Sequence, residues 1–283
     1  MRFRTLFADI RCLLRCCLLA LAGSCFAMTF ARADETWSAF KFTTGVDYTT
    51  GDYGTGSDTD ILYVPFTAKY ERGPWFVGVT IPYIHIESDG SVVGGADGTV
   101  ITKPNGRTKT INGSSVPDVT TESGLGDIVG QVGRSFFLNH STLPLVDLIG
   151  KIKFPTADED KGLGTGEFDY SIQADVAKTF GRWTPFGTLG YRYIGEPSGT
   201  DLNNIFFASL GAGYKLHEQW STGLILDYRQ STSDNTDDPV ELTPYATWKP
   251  HRDWVLTGYG VFGATDGSPD YGGGLQASFI WER

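Results

Sequence analysis

The sequence predicts an all-β fold: a single closed antiparallel transmembrane barrel of about twelve strands, with short turns on one rim and long loops on the other. Three observations predict it. From Trp37 onward, apolar and polar residues alternate with period two, the signature of a strand with one apolar face. The connections between these runs alternate short and long, as between periplasmic turns and extracellular loops. All seven tryptophans (Trp37, Trp75, Trp183, Trp220, Trp248, Trp254 and Trp281) map to the short-turn rim, where amphipathic rings would form an interfacial belt. No sustained period near 3.6 marks a helix.

Trp37 opens the strand 36–48. Leu62, Val64, Phe66, Ala68 and Tyr70 mark 60–71, and Trp75, Val77, Val79, Ile81 and Tyr83 mark 75–87. Gly-Leu-Gly-Asp opens 124–137, and Val146, Leu148, Ile152 and Phe154 set 145–155. The clearest alternation lies in 167–180, where Phe168, Tyr170, Ile172, Ala174 and Val176 share one face and Asp169, Ser171, Gln173 and Asp175 the other. Trp183 immediately precedes 184–194; Phe206, Ala208, Leu210, Ala212 and Tyr214 mark 204–216; Trp220 opens 220–231. Trp248 lies near the end of 240–249, Trp254 near the start of 253–264, and Trp281 near the end of 271–282. A tilted strand crosses a bilayer in about 9–11 residues, and these runs are long enough. Tyr48, Tyr83, Tyr193, Tyr228 and Tyr271 lie toward the opposite ends and suit a second girdle.

The first 33 residues read as a cleaved export signal. Arg2, Arg4, Arg11 and Arg15 precede the apolar stretch Cys16–Phe30, and Ala31-Arg32-Ala33 supplies a small-x-small cleavage site. All four cysteines (Cys12, Cys16, Cys17 and Cys25) leave with it, so the 34–283 barrel has no thiol for a disulfide. The mature chain keeps 18 basic and 32 acidic residues, a net charge of −14. That balance argues against a nucleic-acid partner, which demands a basic face. A mean hydropathy near zero excludes a bundle of membrane helices but fits strands that average an apolar face against a polar one.

The alternation assigns an inward face. Its pore-lining candidates are Lys41, Lys69, Asp127, Gln131, Asp147, Lys151 and Lys153, followed by Asp169, Gln173, Asp175, Arg192, Asp227, Arg229 and Glu241. Asp47, Glu71 and Lys215 share that face. Its charges nearly balance, so the acidic excess sits mostly in the long loops, from Asp52, Asp58 and Asp89 to Asp266 and Asp270. Such a rim reads as solvated, with contact to lipopolysaccharide through divalent cations as the sharper alternative.

Other motifs carry less. Gly258-Tyr-Gly260-Val-Phe-Gly263 has dinucleotide-fingerprint spacing but lies within a strand with no helix after it. Asp158-Glu159-Asp160 lacks the glycine and final acid of a calcium loop. His140, His217 and His251 fall in separate short turns and are not expected to converge on a metal. His85, with Ser88 nearby, is the one candidate for a barrel hydrolase. No enzyme activity, cofactor or metal is expected.

Segments 124–137 and 150–194 carry a resemblance. Gly124-Leu-Gly-Asp127 opens a strand; Lys151-Ile-Lys153-Phe-Pro155-Thr156 follows, then the Gly162–Gly166 loop, Phe168–Lys178 and Gly190-Tyr-Arg192-Tyr. The order resembles the outer-membrane family labelled "MetA-pathway of phenol degradation", most closely over 124–194. The resemblance implies a channel for small, including aromatic, compounds in the bacterial outer membrane, inserted by the barrel-assembly machinery. Barrels of this kind often finish on an aromatic, whereas here Glu282 and Arg283 follow Trp281.

The functional expectation is passive passage of small solutes. Eight-stranded barrels pack solid and sixteen-stranded ones hold an aqueous channel, so twelve strands leave a narrow pore. Opposite charges across it would set a transverse field. The 88–123 loop is long enough to be functional and is expected to fold into or over the mouth. A closed structural or adhesive barrel is the alternative.

Overall fold

The computed structural model describes residues 37–95, 99–102, 106–111, 114–136 and 143–282. The expected signal at 1–33 and the turn carrying His140 lie outside the described residues. Strands β1 (Ser38–Gly51), β2 (Thr59–Arg72) and β3 (Trp75–Ser88) form an antiparallel meander. Two small hairpins follow: β4 (Val92–Gly94) with β5 (Val100–Thr102), and β6 (Thr108–Ile111) with β7 (Ser114–Pro117). β8 (Thr120–Leu125) and β9 (Ile128–Phe136) together make the fourth wall strand. The wall continues through β10 (Leu145–Phe154), β11 (Asp169–Ala177), β12 (Trp183–Tyr193), β13 (Ile205–Lys215) and β14 (Trp220–Arg229). It ends with β15 (Val240–His251), β16 (Trp254–Gly263) and β17 (Tyr271–Glu282).

β17 pairs with β1 from Ala39↔Glu282 to Thr50↔Tyr271, so the sheet closes on itself. With β8 and β9 counted as one interrupted strand, the wall has twelve strands, the expected number. Closure leaves no open edge, which a barrel in lipid requires.

The faces are inverted relative to a water-soluble protein. Leu210 and Leu275 are more than two-thirds exposed, and Phe42, Phe66, Val77 and Ile172 stand with them on the outer face. The inner face buries Lys41, Lys69, Asp147, Lys151 and Asp175. An apolar exterior of this extent is lipid-facing. Bulky side chains on the inside are accommodated by glycine. Phe76, Phe186, Phe207, Tyr245 and Tyr259 each face a directly paired glycine on the neighbouring strand. At Gly133 a Cβ would lie 2.2 Å from the Phe76 ring, and at Gly190 the same distance from Phe207. The rings therefore lie against the wall.

Four expectations are corrected. The 124–137 strand is not continuous: Thr80 pairs with Val129 but Tyr83 with Leu125, so one extra residue bulges at Gly126–Asp127. Both bulged residues are buried, whereas strict alternation would put one outside. The 88–123 loop holds the two hairpins and the first four residues of β8. Trp37 is 8% exposed and does not join an outer belt, because it shares odd-numbered parity with the inward Ala39 and Lys41. Asp89 is buried, not part of a solvated rim, and its carboxylate accepts bonds from the Ser91 N–H (2.9 Å) and Oγ (2.5 Å).

The other six tryptophans are exposed at the short-turn rim. There Trp220 and Trp248 pair across strands and stack at 5.7 Å, and Trp254 packs on Phe279 at 5.2 Å.

Candidate functional site

Eleven of the fourteen inward candidates are buried, and Gln131, Asp227 and Arg229 are half-buried. The sequence reading missed Lys249, which is 9% exposed and shares inward parity with Glu241. Its signal was present, at the last position of the expected 240–249 strand.

Strand register arranges these residues into three rows, each climbing from the short-turn rim to the long-loop rim as a sheared barrel requires. The first is basic. Lys41 pairs with Lys69, and the register runs through Gly78 and Gln131 to Lys151, then through Ser171 to Arg192. The third is acidic. Asp147 pairs with Asp175, which leads through Thr188 and Ser209 to Asp227 and Glu241. Between them a middle row runs from Phe76 and Gly133 through Ile149, Gln173 and Gly190 to Phe207 and Arg229. Along β10 and β12 the basic and acidic rows are four residues apart, about 13 Å of extended chain. Four cations thus face four carboxylates across an aromatic and glycine-lined strip.

Several members engage one another. Lys69 Nζ lies 3.0 Å from Glu71 and 3.7 Å from the centre of the Phe76 ring. Arg229 pairs with Glu241 at 2.8 Å, and Gln173 donates to Asp175 at 3.1 Å. One oxygen of Asp227 accepts from the Ser209 hydroxyl.

The motifs of the resemblance converge in space. Lys153 is 1% exposed and lies 3.3 Å from Asp127, 3.1 Å from Asp169 and 2.8 Å from Thr165 Oγ1. Asp127 points inward with the parity of β9, and its Oδ1 accepts the N–H groups of Thr156 (3.0 Å) and Ala157 (2.9 Å). Asp169 accepts from Gly195 N at 3.1 Å. A Cβ on Gly164 would sit 2.7 Å from Asp127 Oδ2. The Gly-Leu-Gly-Asp, Lys-x-Lys and glycine-loop motifs are three sides of one buried ion triad.

The β4–β5 hairpin crosses the mouth. Val92 packs with Ile61, Tyr63, Ile84, Ile86 and Leu163 of β2, β3 and the loop after β10. Val93 and Ile101 pack with Ile194, Leu202 and Ile205, beside β12 and β13 on the far side. Thr99 accepts from Arg192 Nη1 at 3.0 Å, and the Thr102 N–H donates to Thr232 Oγ1 at 3.1 Å. The β4–β5 part of the loop therefore packs into the mouth, whereas β6 and β7 are exposed. Beneath it lies a cavity of about 30 Å³, bordered by Thr99, Gln173, Arg192, Phe207, Asp227 and Arg229.

The hydrolase pair does not form. His85 is on the outer face, whereas Ser88 is buried and its hydroxyl bonds the Val92 carbonyl (3.3 Å) and the Gly90 N–H (3.0 Å). Asp158 and Lys161 form an exposed pair at 3.7 Å. Among the described residues no group of three or more His, Cys, Asp or Glu is placed to hold a metal ion.

No curated protein sequence matches the chain. Among solved structures it is similar to an outer membrane channel from Pseudomonas putida F1, with TM-score 0.62 and 12% identity over 91% of this chain and 100% of that one. It is also similar to the NanC porin, with TM-score 0.51 and 9% identity over 84% of this chain and 98% of that one. Both likenesses are of fold. The family model described as "Putative MetA-pathway of phenol degradation" matches residues 38–280, and the chain belongs to that family.

Proposed function

We propose that this protein is an outer-membrane channel for the passive passage of small solutes, aromatic ones included, exported after removal of residues 1–33. The observation that carries the reading is a charged interior inside a lipid-facing shell. A barrel serving only as a scaffold has no need to bury rows of lysine, arginine and carboxylate, each costly to desolvate. The rings of Phe207 and Tyr259, half-buried over Gly190 and Gly274, give aromatic solutes an apolar wall beside the charges. Family membership and the porin-like fold support the same reading. Transport needs no catalytic step, and the lining residues act by charge and bore alone. The β4–β5 hairpin is the constriction.

Planar-bilayer recordings test this. Deleting 92–117 is expected to raise single-channel conductance severalfold over the intact barrel. The second reading, a closed structural barrel, draws on the near-complete burial of the inward side chains. Silence of both forms, in bilayers and in liposome swelling with sugars and phenolics, would favour it and overturn the channel.

A further inference from the structure

We infer that the cavity beneath the β4–β5 hairpin is a binding subsite for dipolar solutes, small molecules that join an anionic end, an apolar body and a cationic end. The inference rests on the channel reading above and names the solute class. The cavity is where the three rows meet: it touches Arg192 of the basic row, Gln173, Phe207 and Arg229 of the middle row, and Asp227 of the acidic row.

Arg192 takes the anionic end. A guanidinium presents a planar fork that fits a carboxylate, and the Nη1 bond to Thr99 is one that an anion can replace. Arg229 is held by Glu241 at 2.8 Å. Phe207 supplies the apolar face, its ring flattened over Gly190. Asp227 and Gln173 take the cationic end. Asp227 Oδ2 and Gln173 Oε1 are buried acceptor atoms without a hydrogen-bond partner, and Gln173 is 3% exposed. Buried acceptors in this condition carry a desolvation penalty that a donor relieves. A monovalent ion would satisfy one row and meet repulsion from the other, whereas a zwitterion satisfies both. About 30 Å³ holds a water or two, so the Thr99 roof lifts to admit a solute.

Liposome swelling tests the subsite, with phenylalanine as an aromatic zwitterion and arabinose as a neutral solute of similar mass. Phenylalanine should enter the intact barrel faster, and at millimolar concentration it should slow arabinose entry. Arg192→Gln and Asp227→Asn should each lower the phenylalanine-to-arabinose ratio at least fivefold. Because they remove opposite charges, a net-charge effect cannot lower it in both. Arg134→Gln, on the outer face, should leave the ratio unchanged. Heat-modifiable migration in gels reports whether each variant folds. The subsite is overturned if arabinose enters but phenylalanine is no faster and does not compete, or if the ratio survives in either folded variant. Failure of both solutes to enter overturns the channel reading itself, and the subsite with it.

Discussion

Replacing Lys153 by methionine removes the one cation of the buried triad while keeping its length. The ammonium lies 3.3 Å from Asp127 and 3.1 Å from Asp169, and all three side chains are at most 3% exposed. At an effective dielectric constant of about 20, each attraction is worth about 5 kcal/mol before desolvation. Breaking a buried pair by deleting one partner costs about 3–5 kcal/mol net, because an uncompensated charge stays behind. Here two carboxylates are left, yet each keeps backbone donors: Thr156 and Ala157 for Asp127, Gly195 for Asp169. Those bonds hold the expected loss near about 3–5 kcal/mol, not double that. The assay is urea unfolding of the barrel refolded in lipid vesicles, followed by tryptophan fluorescence. The triple variant Asp127→Asn, Lys153→Met, Asp169→Asn removes both the cation and its charged partners, and should recover to within about 1–2 kcal/mol of the parent. A loss under about 1 kcal/mol in the single variant, or a triple variant as weak as the single, would refute the reasoning.

Three further outcomes follow from the same geometry. Gly133→Ala puts a Cβ 2.2 Å from the Phe76 ring and must push it off the wall; a loss of about 1–3 kcal/mol in urea midpoint stability, with lower conductance, is expected. Brominated lipid should quench Trp75, Trp183, Trp220, Trp248, Trp254 and Trp281 but not Trp37, so Trp37→Phe should leave the quenchable fluorescence intact. Tyr53, in the loop after β1, is 1% exposed, and burial pushes its phenol above the usual tyrosine range. Its neutral form therefore contributes stability that is full below about pH 10 and declines as pH rises through the higher folded value. Tyr53→Phe should flatten the alkaline end of the stability–pH profile, and an unchanged profile would contradict that role.

Parity was legible in the sequence because a strand's side chains alternate without exception over short stretches. Asp169, Gln173 and Asp175 could be placed inside from Tyr170, Ile172 and Val176 alone. The same parity turns Trp37 inward with Ala39 and Lys41, and Lys249 inward with Glu241. Other features were beyond it. The Gly126–Asp127 bulge shifts the phase by one residue, and nothing in Gly-Leu-Gly-Asp marks the shift until Pro82 and Ile84 are seen to crowd Gly126. The three rows depend on which residue of one strand faces which of the next, and that is set by turn lengths and shear. The β4–β5 hairpin forms because Val92, Val93 and Ile101 find apolar partners on opposite walls, a long-range fact that its glycine-rich sequence conceals.

The bulge also makes the fourth wall strand sensitive to length in the way a reading frame is. Removing one residue between Leu125 and Ile128 would leave every hydrogen-bond ladder able to form, yet invert the face of everything on one side of the deletion. If β9 kept its register, Glu122 would turn toward lipid and Leu125 toward the interior. Were Asp127 the residue removed, Lys153 would lose a partner and the loop tethered through Thr156 and Ala157 its anchor. A point substitution in this strand keeps its phase, whereas an insertion or deletion shifts it. The supernumerary residue at Gly126–Asp127 is thus a phase mark that lets β8 and β9, with opposite parities, both turn apolar residues such as Leu125 and Val132 outward.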